Sequence, residues 1–222
     1  MKNDTVSFSP MLMYLAALFV SFLLISNVLA NRMILVFGLT LDAGTLTFPI
    51  TYILSDIFSE VYGYKWSRRI AWTSLAINAV FSVLVILLIR MPMPEWHEGM
   101  YFANALGNSW RIVVASLIAY CIGDLADDRV FRKLRAMSQK KHGENQKMRG
   151  FVFRALTSSL VGHILDSNIF VLIAFLGVVP TADIPGMILI TLLAKWLFEI
   201  AVIPITYKLT NWVRKKEYSE RG

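Results

Sequence analysis

Five acidic residues and one lysine lie within stretches that are otherwise apolar enough to cross a lipid bilayer. They are Asp56, Glu60, Asp124, Asp166, Glu199 and Lys195. A charged side chain at bilayer depth is costly, so it normally faces a protein-lined cavity, pairs with a partner or lines a solute pathway. The pattern therefore favours a small transporter with several membrane helices.

The segment TLTFPITYILSDIFSEVYG, residues 45–63, carries aromatic and acidic residues at four-residue intervals. Phe48, Tyr52, Asp56 and Glu60 therefore form one stripe along a helix. Aromatic faces can stack on a flat ligand, and a carboxylate can accept two N–H groups at once. The stripe suits a flat ligand that donates hydrogen bonds, although Phe48 and Tyr52 at this spacing suit ordinary helix packing equally well.

The segment SSLVGHILDSNIF, residues 158–170, places His163 and Asp166 three positions apart on one helix face. Histidine titrates near neutral pH, so His163 is a candidate for proton coupling; a hydrogen bond between helices is the other interpretation. Asp166 and Asn168 are candidates for substrate binding, because a carboxylate and an amide can both bond to a polar solute.

The segment LLAKWLFEIAVIP, residues 192–204, places Lys195 one turn before Glu199. This order is the less favourable one for pairing within a helix, so Lys195 can instead bridge to Asp56 or Asp166. Three further candidates for substrate binding lie in the predicted membrane helices: Asn27, Asp124 and Trp196.

Six predicted membrane helices position these side chains. Hydrophobic residues make up 56% of the 222-residue chain, against roughly 45–50% in soluble domains. Residues 11–30 and 70–89 carry no charge, and each run is long enough to cross a hydrocarbon core of about 30 Å. The whole chain, 1–222, is predicted to be one all-α transmembrane domain with helices at 11–35, 45–62, 70–91, 110–126, 151–179 and 184–207.

Lysine and arginine concentrate on alternate connections between these helices. The second and fourth connections and the C-terminal end are rich in cations, whereas the opposite side carries only Arg32, Arg90 and Arg111. Because cations stay on the cytoplasmic side, both termini are predicted to be cytoplasmic. The net charge of +7 then reports topology and contact with the lipid bilayer, and no nucleic-acid partner is predicted.

Six helices permit a division into three plus three, with the second half inverted in the membrane. Small residues such as Ala16 and Ala17 permit a homodimer without requiring one. No metal-ligand spacing and no nucleotide-binding string GxxxxGK[ST] occurs, so neither a metal nor a cofactor is predicted.

Several strings of the chain resemble the vitamin uptake transporter family, also called queuosine-precursor transporters. The most specific is the FPxxYxxxDxxxExYG pattern of residues 48–63. It is supported by SNVLANR (26–32), IGDLADDRVFRKLR (122–135), HILDSNIFVLIAF (163–175) and KWLFEIAVIP (195–204). The resemblance implies an inner-membrane importer of 7-deazaguanines, namely preQ0, preQ1 or queuine, which feed the queuosine modification of tRNA.

The candidate residues are compatible with such a purine-like substrate. A deazaguanine presents N1–H and an exocyclic amine side by side, and either Asp56 or Asp166 can accept both. The carbonyl edge would be met by Asn27 or Asn168. The rings available for stacking are Phe48, Tyr52 and Trp196, and another acid can meet the amine cation of preQ1 or queuine.

Other classes of function are weighed against the secondary carrier. The chain can be the substrate-binding subunit of an ATP-driven vitamin importer, or a carrier of another purine-like or vitamin solute. An intramembrane enzyme would need a nucleophile such as Ser158 or Ser159 close to His163, but G-x-S-x-G and H-E-x-x-H are absent. A continuous polar face is lacking, which disfavours an open pore. We therefore predict that the chain is not an enzyme.

The position of Asp56 near mid-depth predicts that Asp56→Asn loses substrate binding while the protein still folds. Glu60→Gln is expected to have a milder effect, because Glu60 lies nearer the cytoplasmic surface. Thermal-shift titration of the purified variants with preQ0, preQ1, queuine and guanine measures both effects. Normal binding by Asp56→Asn would contradict this assignment.

Overall fold

The computed structural model describes residues 9–94, 96, 99–142 and 148–220. Within these ranges it does not describe the side chains of residues 124, 128, 131, 132, 135, 138–142, 148–156 and 218–220. The α-helices are α1 (Pro10–Leu29), α2 (Phe48–Ile57), α3 (Tyr64–Ile89), α4 (Met100–Leu106), α5 (Ser109–His142), α6 (Met148–Phe175) and α7 (Ile184–Glu220). Strands β1 (Met33–Val36) and β2 (Leu39–Asp42) form the two-stranded sheet.

Five helical stretches of the described chain are long and apolar enough to cross a membrane. They are Pro10–Leu29, Tyr64–Ile89, Met100–Asp127, Thr157–Phe175 and Thr181–Glu217. A stretch of at least 18 apolar residues matches the thickness of the hydrocarbon core. The chain is therefore a mainly helical, multi-pass membrane protein; the sixth crossing, the orientation and the inverted repeat stay predictions.

The predicted second helix, 45–62, is built from three consecutive helical pieces. A 3-10 helix at Ala43–Leu46 leads into α2, and a π-helical turn at Phe58–Tyr62 follows it. Pro49 lies in the first turn of α2, where its missing N–H costs nothing. Gly63 then adopts a positive φ of 86° and separates the π turn from α3. We refer to residues 43–62 as the segmented helix.

The end predicted for the first helix, residue 35, is wrong because a β-hairpin follows α1. Met33 pairs with Asp42 and Val36 with Leu39 in an antiparallel register. The two turn residues, Phe37 and Gly38, have φ values of 51° and 80°. Positive φ at both turn positions matches the right-handed twist of a two-residue hairpin. Apart from this hairpin and one isolated bridge between Leu176 and Val179, the regular structure of the described residues is helical.

Other helix ends also differ from the prediction. The third helix begins at Tyr64 instead of residue 70, and α5 and α7 continue to His142 and Glu220. Hydropathy marks only the part of a helix that lies in lipid, so polar helical extensions go undetected. The helix predicted to run to residue 179 ends at Phe175, and Gly177 follows with φ 79°.

Both ends of the described chain lie at one end of the helix bundle. The Ser9 hydroxyl donates a hydrogen bond to Glu217, and the Tyr62 hydroxyl donates to the same carboxylate at 2.7 Å. The guanidinium nitrogen Nη2 of Arg214 lies 3.5 Å from the carboxylate oxygen Oε2 of Glu60. The start of α1, the end of the segmented helix and the end of α7 therefore meet.

A second group of contacts marks the opposite end of the bundle. Asn31, just after α1, donates to Ser109 at 3.1 Å. Arg111 in the first turn of α5 donates to the carbonyls of Ile173 and Leu176 at 2.8 and 2.9 Å. These bonds join the end of α1 to the start of α5, and the start of α5 to the end of α6.

Glycines allow two close backbone approaches that position the polar helices. A Cβ on Gly44 would lie 2.3 Å from the Ser26 carbonyl oxygen, so the segmented helix starts against the backbone of α1. A Cβ on Gly123 would lie 3.2 Å from the Gly162 carbonyl oxygen, and the reverse distance is the same. Small residues let membrane helices pack closely, and here they bring α5 and α6 together.

These distances predict different costs for adding one methyl group. Gly44→Ala is expected to destabilise the protein by more than about 2 kcal/mol, because a backbone oxygen must move. Gly123→Ala should cost less than about 1.5 kcal/mol, because its nearest neighbour is the Asp166 Cβ at 3.1 Å. Thermal unfolding of both variants in one detergent measures the order. An equal loss of Tm would contradict this account of the packing.

Candidate functional site

A cavity of about 320 Å³ opens between helices from both halves of the chain. Its volume lies at the small end of the range of roughly 300–1,000 Å³ that is typical of ligand pockets. Seven of the predicted site residues line it: Phe48, Tyr52, Asp56, His163, Asp166, Lys195 and Glu199. The cavity is therefore the place where the structure brings together the stripe of the segmented helix and the polar residues of α6 and α7.

An ion pair with a buried lysine lies in the cavity wall. The side chain of Lys195 is only 5% exposed, and its ammonium group donates a hydrogen bond to the Asp166 carboxylate, which is 23% exposed. Its Nζ also lies 5.6 Å from the centre of the Phe48 ring and 5.5 Å from that of Phe170. A cation held over two aromatic faces and paired with a carboxylate is stabilised where an isolated charge would not be.

A second polar pair lies one turn away on the same helices. His163 Nε2 and Glu199 Oε2 are 2.7 Å apart. The imidazole is 6.0 Å from the ring of Tyr52, which is stacked on Phe48 at 6.2 Å with an interplanar angle of 24°. Lys195 and Glu199 thus each pair with a residue of α6 and not with each other.

Asp56 differs from the other cavity acids in having no partner among the described residues. It lines the cavity but is exposed, and it forms no hydrogen bond or ion pair with the residues that the structure describes. It lies within reach of the charges of Glu199 and Glu60. The cavity therefore has a neutralised, buried part at Lys195 and an uncompensated, accessible carboxylate at Asp56.

Two predicted amides do not line the cavity. Asn27 is 3% exposed; its amide donates to Asn78 at 2.7 Å, and Ser116 donates to its carbonyl oxygen at 3.2 Å. Asn168 donates to the Ile164 carbonyl of its own helix at 2.7 Å. In the described structure these groups join helices or bond locally, which is the common role of amides in membranes.

Three further candidates lie elsewhere. Glu60 is exposed beside Arg214 at the end of the segmented helix. The Nε1 of Trp196 is buried and has no hydrogen-bond partner among the described residues, and the ring does not line the cavity. The side chain of Asp124 lies outside the described part of the chain.

The cavity also contains residues that the sequence did not single out for the site. Asp127 and Phe170 line it, and Asp127 stands four residues after Gly123 as Asp166 stands four after Gly162. The Cβ positions confirm the relation: Gly162 faces Asp127, and Gly123 faces Asp166. This repeated G-x-x-x-D spacing is a sequence signal that would have identified Asp127.

Asp42, at the end of β2, supports the buried part of the site from outside the spanning segments. It is fully buried and accepts hydrogen bonds from the Thr45 backbone at 3.1 Å and the Thr45 hydroxyl at 2.9 Å, so it caps the segmented helix. Burial raises the pKa of this carboxyl group, while the Thr45 hydroxyl and the positive charge of Lys195 oppose the shift.

Comparison with known proteins gives one family. The sequence model of the family described as "Putative vitamin uptake transporter" matches residues 42–209, which is most of the chain and includes every cavity acid described above. The chain belongs to the vitamin uptake transporter family. No solved structure matches this family member significantly.

Three curated relatives are similar to this vitamin uptake transporter family member. A Bacillus subtilis (strain 168) protein named "Probable queuosine precursor transporter" is 22% identical over 196 residues, covering 87% of this chain and 82% of the relative. The Escherichia coli (strain K12) "Queuosine precursor transporter" is 25% identical over 150 residues, with coverages of 68% and 62%. A "Probable queuosine precursor transporter" of Haemophilus influenzae (strain ATCC 51907 / DSM 11121 / KW20 / Rd) is 27% identical over 133 residues, with coverages of 60% and 51%.

The last two matches span about half to three-fifths of the relatives' own length. All three relatives are named transporters, in agreement with the non-enzymatic role predicted for this family member.

The Lys195–Asp166 pair predicts a strong energetic coupling between the two side chains. Lys195→Met is expected to cost about 3 kcal/mol or more, because it leaves a carboxylate in an apolar wall without its counter-charge. Asp166→Asn in the same protein should restore part of this loss, giving an interaction energy of at least about 1 kcal/mol. Thermal unfolding of the two single variants and the double variant measures it.

The control is the combination of Lys195→Met with Glu60→Gln. Glu60 pairs elsewhere, so these two changes should add within about 0.5 kcal/mol. Additive behaviour of Lys195→Met and Asp166→Asn would argue that the ion pair contributes nothing.

Proposed function

We propose that this family member takes up queuosine precursors of the 7-deazaguanine class as a secondary carrier, with the described cavity as its substrate site. The observation that carries the proposal is the Lys195–Asp166 pair at the buried end of the cavity, flanked by Phe48 and Phe170. The names of the three relatives support the substrate class.

The pair is chemically complementary to the edge of a guanine-like ring. That edge presents a carbonyl oxygen, an N–H and an exocyclic amine in sequence, which is one acceptor followed by two donors. The ammonium of Lys195 has three donors, of which Asp166 takes one, so another can address the carbonyl. Asp166 retains acceptor capacity for the two N–H groups, and such charge-assisted bonds are the stronger kind.

Aromatic faces supply the rest of the recognition. Phe48 and Tyr52 are stacked in the cavity wall, and the centre of the Phe170 ring lies 5.5 Å from the Lys195 ammonium. A flat bicyclic ring can lie against these faces while its polar edge meets the ion pair. Lys195 therefore replaces Asn27 and Asn168 as the group assigned to the carbonyl, because neither amide lines the cavity.

We further propose six membrane crossings in the inner membrane, with both termini in the cytoplasm. The segmented helix supplies the sixth: its 20 residues, 43–62, span about 30 Å at 1.5 Å per residue. The bond between Ser9 and Glu217 supports an even number of crossings, because it holds the start of α1 and the end of α7 at one end of the bundle. The basic connections favour the cytoplasmic side for that end.

Alternating access around the cavity would then move the solute. Carboxylates and His163 in the cavity permit coupling to protons. The opposing possibility is that the chain binds substrate for a separate ATP-driven module, because the nucleotide-binding string is absent from its own sequence.

Binding measurements on the purified protein test the substrate assignment. Guanine-like compounds, namely preQ0, preQ1 and queuine, should bind, and adenine should not, because adenine reverses the donor and acceptor order at the same edge. Asp166→Asn is expected to weaken all three by about tenfold or more, since hydrogen bonds to a charged group contribute about 1.5–3 kcal/mol. The matched control Glu60→Gln changes an acid outside the cavity.

Failure of every deazaguanine to bind the folded protein would exclude the proposed substrate class. Uptake of labelled preQ1 by cells that express this chain alone, without an energising partner, then separates the carrier from the subunit of an ATP-driven importer. Saturable uptake that unlabelled preQ0 competes with is expected of a carrier.

A further inference from the structure

The acids of the cavity are unequally neutralised. Asp166 is paired with Lys195, and Glu199 with His163. Asp56 is exposed to the cavity and has no hydrogen-bond or ion-pair partner among the described residues. An uncompensated carboxylate in a binding cavity favours a positively charged group of the ligand.

The charged groups around Asp56 increase this preference. The carboxylates of Glu60, on its own helix, and of Glu199, on α7, are close enough for their charges to act on it. The Lys195 ammonium is committed to Asp166 between two phenyl rings, and Arg214 lies beside Glu60 outside the cavity. His163, from α6, is bonded to Glu199. The potential at Asp56 is therefore negative, which favours a cationic ligand group at this position.

The spacing along the segmented helix places Asp56 at the other end of the ligand. Phe48 touches the Lys195 site, and Asp56 lies eight residues further on the same stripe, about 12 Å at 1.5 Å per residue. A bicyclic ring that carries a one-carbon amine arm, with a hydrogen bond at each end, spans a comparable length. The arm is on the five-membered ring, away from the edge that carries the two donors.

We propose that Asp56 binds the protonated amine on the five-membered ring of the substrate, so that the cavity prefers cation-bearing 7-deazaguanines to neutral ones. This inference rests on the proposed function and assigns the two ends of the cavity different roles. The Lys195–Asp166 pair binds the polar ring edge that all 7-deazaguanines of this class share. Asp56 distinguishes preQ1, which carries an aminomethyl cation, from preQ0, which carries a neutral nitrile. This role replaces the ring-binding role that the sequence alone allows for Asp56.

Calorimetric titration of the purified wild-type protein with preQ1 and preQ0 tests the preference directly. We expect preQ1 to bind at least about fivefold more tightly; the factor is moderate because Asp56 is exposed and its charge is partly screened by solvent. In Asp56→Asn the affinity for preQ1 should fall about fivefold or more, whereas that for preQ0 should change less than about twofold. The wild-type comparison needs no variant, so the test holds even if Asp56→Asn fails to fold.

Glu60→Gln is the matched control, because it removes one negative charge from the same stripe at a residue outside the cavity. Because Glu60 contributes to the negative potential without lining the cavity, Glu60→Gln should reduce the ratio of the two affinities by less than Asp56→Asn does. Equal affinities for preQ1 and preQ0 in the wild type, or equal losses of both in Asp56→Asn, would overturn the inference while leaving the proposed function intact. Absence of binding by both ligands to the folded wild-type protein would overturn both.

Discussion

A lysine and an aspartate from two neighbouring helices neutralise each other in a wall where neither charge is stable alone. Lys195 is almost fully buried, and its ammonium is enclosed by the Asp166 carboxylate and the faces of Phe48 and Phe170. Removing one partner would leave an unpaired charge in apolar surroundings, which costs several kcal/mol. The pair therefore restricts how far α6 and α7 can shift relative to each other. Because Phe48 also contacts the ammonium, the same restriction applies to the segmented helix and to the cavity residues that it carries.

The relative positions of these helices depend on close backbone contacts at glycines. Gly123 and Gly162 let α5 and α6 approach until each glycine faces an aspartate of the other helix. Gly44 allows the start of the segmented helix to pack against the backbone of α1, and Asp42 caps the segmented helix. Polar side chains contribute little to association in a membrane, so close van der Waals packing of this kind carries much of the assembly. The distances between the helices around the cavity therefore depend on packing contacts, such as those at Gly44, that lie outside the cavity.

Periodicity predicted the contents of single helices better than the contacts between them. The four-residue stripe identified Phe48, Tyr52 and Asp56, and the unfavourable order of Lys195 and Glu199 indicated a partner in another helix; the partner is Asp166. Asn27 and Asn168 were equally polar, but their bonds to Asn78 and to the helix backbone keep them out of the cavity. Asp127 was passed over for the site because the contribution of its helix depends on the Gly123–Gly162 crossing. The hairpin at 33–42 was missed because its apolar strands continue the hydropathy of α1.

A ligand held at both ends of this cavity would connect the segmented helix to α6 and α7 within the cavity. Its ring edge would bond to α6 and α7 through Asp166 and Lys195, and its amine to the segmented helix through Asp56. Asp56 forms no hydrogen bond or ion pair with the other described helices, so a bound solute would add a polar link at this residue. A conformational equilibrium responds only to a ligand that contacts its two states differently. A solute that bridges Asp56 and the ion pair would contact the two states differently if the distance between Asp56 and the pair changes between them. The distance of the segmented helix from α6 and α7 is therefore the structural change that we expect to accompany transport.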